Sequence, residues 1–422
     1  MSLQSILKYF LLLILTSCYS NQFIYNQDYE DLYNSEPIKI HPKLKVFHHS
    51  NISSTLYLRF NRTDFLYAKS LYEDVMTLKI KVHYKLFRVE NQAQLNDSGT
   101  RYFSYPKEII ETPEVTDSLL IMASRGNEYI MDIEITDLHR NTFYKNVLFV
   151  DKRNIKNEQF MLIRDSSLFV YFDNYLNAEI PMYIQSSDST LKEILVDYHR
   201  LVFPPAQLPY TELGFKDRRL KADSAFVLKK ESNYFKLKDK HRTGLLSMNM
   251  DSSLIGFLGL GIYNSYYPNI ISPKDMVEAL KYICNDDEYK KMLHVENKKL
   301  ALDEFWLQIA GDKERARVLI KTYYARVRNA NTYFTSYLEG WKSDRGMIYI
   351  VFGAPTHVAK SAFSEIWTYG ESNNFNSITF TFNKINNKLT NNDFELHRNP
   401  LLKDDWNRGK ELWREGRIYN TN

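Results

Sequence analysis

The stretch Gly340-Trp341-Lys342-Ser343-Asp344-Arg345-Gly346-Met347-Ile348-Tyr349-Ile350-Val351-Phe352-Gly353-Ala354-Pro355 decides how the C-terminal part of this chain is built. Upstream of it, Leu319, Tyr323, Val327, Ala330, Phe334 and Leu338 recur at spacings of three and four, the stripe of a helix that buries one face. Asp312 offers a capping carboxylate, so the spacing predicts one long helix from Asp312 to Glu339. Gly340 then stops it, because glycine takes the left-handed closing conformation without steric cost. Lys342 to Gly346 reads as a polar turn, Met347 to Phe352 as a strand, and Gly353-Ala354-Pro355 as a corner.

On the downstream side, Glu365 to Tyr369 and Ser377 to Phe382 read as further strands, and Asp404 to Glu415 as a closing amphipathic helix. On the upstream side, Ser272-Pro273-Lys274-Asp275 opens a helix with a capping hydroxyl and a proline in the first turn. Asp286-Asp287-Glu288 starts another, and Asn297 to Ile309 a third that ends at Gly311. Residues 239–422 therefore read as an α+β domain, helices first and sheet second.

The N-terminal half has a different period. Leu78, Ile80, Val82, Tyr84 and Leu86 alternate with Lys79, Lys81, His83 and Lys85, and Tyr129, Met131, Ile133 and Ile135 alternate with Asp132, Glu134 and Thr136. Each run is a half-buried strand. With turn residues between them, residues 44–152 read as an antiparallel β-sandwich of immunoglobulin-like size. Residues 153–238 read as a second, smaller sandwich, with Phe160 to Ile163, Leu168 to Phe172, Glu179 to Ile184, Glu193 to Leu201 and Ala225 to Leu237 as strands. Pro204, Pro205 and Pro209 force an extended crossover within it. The alternative is one large β domain with a long insertion.

At the N-terminus, Lys8 precedes the apolar run Tyr9 to Leu15, which is too short to span a bilayer and suits a secretory signal. Leu15-Thr16-Ser17-Cys18 resembles the bacterial lipobox. It implies a signal at 1–17, lipid on Cys18 and a tether over 18–43. Cys284 is then the only other thiol, so no intrachain disulfide is expected. The chain holds 55 Lys plus Arg against 51 Asp plus Glu, spread without a basic patch, and no nucleic-acid partner is expected.

The sequence around Gly340-Trp341-Lys342-Ser343-Asp344-Arg345-Gly346 resembles the signature of the GWxTD-domain proteins, exported proteins found largely in Bacteroidota. The resemblance extends to Ile271–Leu300, Phe305-Trp306 and Glu365-Ile366-Trp367-Thr368-Tyr369-Gly370, and departs from the pattern at Ser343, where threonine stands in the name. The family has no assigned reaction, so the resemblance implies architecture and compartment. Gly353 to Phe382 is also similar, more weakly, to small lipoproteins of outer-membrane protein assembly.

The signature invites a catalytic reading, with Asp344 as acid or base, Arg345 as anion clamp, and Glu339 and His357 nearby. The structural reading uses the same residues: Gly340 ends the helix, Trp341 anchors it, Ser343 and Asp344 bond the turn, Arg345 pairs with a carboxylate, Gly346 and Gly353 form turns and Pro355 fixes the second. Ten histidines show no metal-ligand spacing, and adjacent His48 and His49 face opposite sides of a strand. The glycines of Gly256 to Gly261 suit a strand better than a nucleotide loop, and Cys284 suits a buried thiol. Arg315, Arg317, Lys321, Arg326 and Arg328 read as a solvated helix face. No metal, cofactor or catalytic residue is expected. The expectation is an outer-membrane lipoprotein of the cell envelope, lipid-anchored through Cys18, with an envelope protein partner and a non-catalytic interaction role. The alternatives are a hydrolase of a cell-wall or surface polymer and a carbohydrate-binding surface protein.

Overall fold

A computed structural model describes residues 28–34, 40–69, 75–90, 94–107, 113–153, 158–177, 181–200, 203–212, 220–237, 243–249, 258–371 and 377–419. Cys18 and the expected signal lie outside the described residues. The fold is multidomain: antiparallel sheets make up the N-terminal part, and helices with a small sheet make up the C-terminal part.

The first unit comprises β1 (Lys43–Phe47), β2 (Ser54–Asn61), β3 (Ala68–Lys69), β4 (Met76–Arg88), β5 (Leu95–Pro106), β6 (Glu114–Ile121), β7 (Glu128–Asp137) and β8 (Thr142–Asp151). One sheet has the order β1-β2-β6. In the other, β4 pairs with β5 along one side and with β3 and then β7 along the other, and β8 borders β7. The alternation in β4 explains the layering: Leu78, Ile80, Val82, Tyr84 and Leu86 are all buried, together with Leu56, Leu58 and Phe60 of the facing sheet. Each such side chain contributes about 1.5–3 kcal/mol relative to exposure. A one-residue slip would exchange this face for the lysines, so the register is strongly specified.

The second unit comprises β9 (Met161–Arg164), β10 (Tyr175–Asn177), β11 (Met182–Ser186), β12 (Glu193–His199), β13 (Ser224–Glu231), β14 (Tyr234–Leu237), β15 (Gly244–Asn249) and β16 (Leu258–Tyr263). They form one sheet in the order β10-β16-β15-β12-β13-β14-β11-β9, parallel only between β10 and β16. The sheet curls, since Met161 and Ile163 near one end share a core with Leu258, Leu260 and Ile262 near the other. This corrects the expected division at residue 238, because β15 and β16 follow it in sequence yet β15 pairs directly with β12. The expected strand Leu168 to Phe172 makes one bridge, Arg164 to Val170, because Leu168 sits at φ 63° and breaks the extended run. Ala225 to Leu237 is a hairpin, turning at Ser232 with φ 57°.

The third unit opens with α1 (Pro273–Ala279), α2 (Asp286–His294), α3 (Lys298–Ala310), α4 (Lys313–Phe334) and α5 (Asp344–Phe352). It closes with the sheet β17 (His357–Lys360), β18 (Ser364–Tyr369), β19 (Ile378–Lys384) and β20 (Phe394–Leu396), in that order, and with α6 (Leu402–Arg414). Ser272 and Asp312 cap α1 and α4 by accepting the Asp275 and Arg315 N–H groups. The chain has five tryptophans; all of them, Trp306, Trp341, Trp367, Trp406 and Trp413, are fully buried here.

Three expectations around the signature are corrected. The long helix stops at Phe334, five residues before Glu339. Asn331 ends it by reaching outside the helix: its Oδ1 accepts the Trp341 N–H at 3.0 Å and its Nδ2 donates to the Pro268 carbonyl at 2.9 Å. Gly340 does not close the helix at positive φ. It opens a 3₁₀ turn, Gly340–Lys342, packed back across α4. Met347–Phe352 is helix, not strand; every residue from Arg345 to Phe352 is buried, and a run apolar on all sides carries no period to distinguish the two.

The tether is also corrected. Within the expected spacer, Tyr29, Leu32, Tyr33 and Ile40 are buried in the core shared by the first and third units. A 3₁₀ turn at Glu30–Tyr33 lies against β8, while the Tyr29 N–H donates to the Val358 carbonyl at 2.9 Å. Single apolar residues in a polar stretch carry no periodic signal, so only the tertiary partner reveals them.

Candidate functional site

The signature folds by close backbone approach. A Cβ on Gly340 would lie 2.1 Å from the Ala330 carbonyl oxygen, and one on Gly346 would lie 2.0 Å from the Gly340 carbonyl oxygen. Only glycine lets α4, the 3₁₀ turn and α5 meet. Ser343 caps α5, accepting from the Gly346 N–H at 3.0 Å and donating to the Gly340 carbonyl at 2.7 Å. Trp341 is buried, its carbonyl accepting from the Tyr282 hydroxyl at 3.0 Å. Gly353 ends α5 at φ 86°, and Pro355 is buried just beyond.

Asp344 is fully engaged. Its Oδ1 accepts from Arg398 Nη2 at 2.6 Å, and its Oδ2 accepts from Arg398 Nη1 and the Leu396 N–H, both at 2.8 Å. Arg345 is buried between the rings of Phe334 and Phe394, donating to Glu365 Oε1 at 3.2 Å and to the Asn392 carbonyl at 3.0 Å. Glu365 also pairs with Lys360 at 3.2 Å and accepts from the Tyr33 hydroxyl at 2.8 Å and Trp367 Nε1 at 3.2 Å. Burial alone would raise this carboxyl, but Lys360, Arg345 and the Tyr33 hydroxyl outweigh it and hold it at about 2. Burial raises the Glu339 carboxyl, opposed by its ion pair with Lys342. His357 pairs with Asp28.

The remaining candidates disperse. His48 is fully buried, bonded to Ser54 Oγ at 2.8 Å, while Lys152 Nζ donates to the same oxygen at 3.1 Å. A serine between a lysine and a histidine suggests a nucleophile, but all three are buried without exposed surface. Burial pulls His48 down to about 4 and Lys152 to about 8, with Lys152 adding to the His48 shift. His49 turns to the opposite side, onto Ser53 and Thr55. Cys284 is buried, its thiol pushed up to about 12 by burial. Arg326 is corrected as a solvated residue: it stacks on Trp413 and donates to the Val351 and Tyr419 carbonyls at 3.0 and 2.9 Å.

One cavity stands out beside the signature network. About 650 Å³ in volume, it lies where all three units meet and is lined by residues of β1, β8, the 158–161 segment, β16, β19 and the 390–394 segment. Arg345 and Glu365 form part of its wall, facing Lys45, Glu158 and Lys384. Burial draws Lys45 and Lys384 down to about 8, each opposed by the charge of Glu158. Burial raises Glu158 in turn, opposed by Lys45 and Asn391. These three residues lie far apart in sequence and match no motif; the alternation of β1 and β19 was the only signal available.

Comparison with known proteins yields one strong match. No curated protein matches the chain. Many solved structures share a faint likeness with the chain, and two of them illustrate it. One is a glycosyl hydrolase family 2 member from Bacteroides cellulosilyticus: 8% identity, 32% of this chain, 16% of that one, TM-score 0.20. The other is Escherichia coli alpha-2-macroglobulin activated by porcine elastase: 9% identity, 75% of this chain, 36% of that one, TM-score 0.17. The chain thus spans well under half of either. Residues 244–415, from β15 through α6, match the family model of the GWxTD domain, so the chain carries a GWxTD domain over that span.

Proposed function

We propose that this protein is a cell-envelope lipoprotein, anchored in the outer membrane through Cys18, with a non-catalytic interaction or scaffolding role toward an envelope protein partner. The observation that carries the non-catalytic part is the internal use of the signature's polar groups. Asp344 is closed off by Arg398 and the Leu396 N–H, and Arg345 by Glu365 and Asn392. A general acid or base needs a carboxylate oxygen free for its substrate, and both oxygens of Asp344 already accept from Arg398 or the Leu396 N–H. The scaffolding part is supported by interlocking: the first and third units share one core, and the Gly259 N–H of the second unit donates to the Leu389 carbonyl of the third at 2.8 Å.

Crosslinking in native membranes with Cys18 intact, followed by mass spectrometry, tests this reading. A stoichiometric envelope partner, lost on Cys18→Ala, is the expected result; recovery of the protein alone would overturn it. The competing reading, a hydrolase of a cell-wall or surface polymer, draws on Glu158, a carboxyl raised by burial at a cavity. Polymer hydrolysis abolished by Glu158→Gln would favour it instead.

A further inference from the structure

We propose that the cavity between the three units binds a small organic anion, a carboxylate or phosphate carried on an apolar or aromatic body. The charge lining it is unbalanced. Among the described residues of its wall, five cations, Lys43, Lys45, Arg345, Lys360 and Lys384, face three carboxylates, Glu158, Asp173 and Glu365. Two of those carboxylates are already committed: Asp173 holds Lys43 at 2.5 Å, and Glu365 holds both Arg345 and Lys360 at 3.2 Å. Of the lining carboxylates, Glu158 is left to answer two ammonium groups, Lys45 and Lys384, the latter helped from beyond the wall by Asp151 and Glu128.

Among the described residues, neither lysine finds partners enough to be saturated. Lys45 Nζ gives one hydrogen bond, to the Tyr171 carbonyl at 3.0 Å, and an ammonium has three to give. Lys384 Nζ rests 3.5 Å over the ring of Phe149. Two cations with donors to spare on one polar side of a cavity are complementary to an anionic head. The rest of the wall, including Phe172, Tyr333 and Phe394, suits an apolar body, and the volume falls within the range of small-molecule sites, about 300–1,000 Å³. Residues from all three units close the site, so a bound ligand would also clamp the units together.

The charges around the lysines set the expected pH dependence. Lys45 faces Glu158 and Asp173, with Arg59 opposing; Lys384 faces Glu158, Asp151 and Glu128, with Lys360 opposing. Both sit at about 8, so an incoming anion favours their charged forms and binds with proton uptake. Affinity therefore falls as pH rises above that value.

Isothermal titration calorimetry on the full chain tests the proposal, with phenyl phosphate, benzoate, inorganic phosphate and benzyl alcohol as probes. Phenyl phosphate or benzoate is expected to bind once per chain, the stronger of the two identifying the head group. Inorganic phosphate should bind more weakly, and benzyl alcohol should give no heat. Lys384→Met should weaken the anion by about tenfold or more, the loss of one charge-assisted contact. Glu158→Gln should strengthen it several-fold, a gain that misfolding cannot imitate. Absence of binding by both aromatic anions, equal binding of benzyl alcohol, or indifference to both substitutions would overturn the proposal. It stands apart from the scaffolding role, since the crosslinking result is read on a protein partner and this one on a small molecule.

Discussion

Between Gly340 and Gly346 every charged side chain ends on a protein partner, whereas across the adjoining cavity Lys45 and Lys384 both lean on Glu158 and, among the described residues, keep hydrogen bonds to spare. The two regions touch through Arg345, yet they handle charge in opposite ways. The conspicuous motif is a packing device. The groups with capacity to spare come from strands whose sequence carries no motif at all. In this molecule, therefore, recognisability and chemical availability lie in different places.

The strongest way to break the comparison is to crowd the signature. Gly346→Ala places a methyl against the Gly340 carbonyl, and Gly340→Ala places one against Ala330; neither backbone can yield without parting α4 from α5. Each should cost more than about 4 kcal/mol, read as loss of soluble protein or collapse of the urea midpoint. A loss under about 1 kcal/mol would mean that the segment is not the junction described.

Next in size is Glu365→Gln, which leaves Arg345 and Lys360 buried without their counter-charge and should cost about 3–5 kcal/mol in urea unfolding. The pH dependence of the same residue follows from its depressed folded value. The unfolded carboxyl titrates near its model value of 4.5 and the folded one near 2, so the stabilisation is complete above 4.5 and is lost as pH falls toward 2. Urea midpoints of the parent protein should fall across that window, and those of Glu365→Gln should fall less.

Asp344→Asn removes the charge facing Arg398 but keeps an acceptor for the Leu396 N–H, so about 1–3 kcal/mol is expected. If Asp344 were catalytic, activity would vanish with stability nearly intact. The smallest effect belongs to the cavity. Lys45→Met should change stability by less than about 1 kcal/mol, or raise it, because an under-compensated cation is removed. Lys45, Lys384 and Lys152 all have lowered folded values near 8, so the unfolded chain binds more protons above that pH. Stability should accordingly rise from 8 toward the model lysine value of 10.5. Buried tyrosines such as Tyr33 and Tyr323, raised well above 10.0, reverse the trend beyond that point, since only the unfolded chain ionises there. Midpoints measured across this range check both limbs.

Much of this was legible in the residues, for identifiable reasons. The alternation of Leu78 to Leu86 marks a strand with one wet face, and Ser272 and Asp312 mark helix starts, because both are local signals with local causes. The failures fall where burial is complete or isolated. Met347–Phe352 is apolar on every side and so has no readable period. Tyr33 is one aromatic in a polar run, yet its ring packs at a tilt against Phe334 and Trp367 and it bonds Glu365, more than 300 residues away in sequence.

What the sequence alone determined was the order of sheet and helix, the GWxTD domain and the glycine requirement of the signature, since these rest on spacing and on backbone conformation. Only the tertiary structure decided that β15 and β16 complete the middle sheet while opening the family domain, and that the expected spacer is partly core. It alone brought Lys45, Glu158 and Lys384 around one cavity. The reason is physical: a charge imbalance is a property of positions in space, and three residues separated by more than a hundred positions acquire one only when three units close on each other.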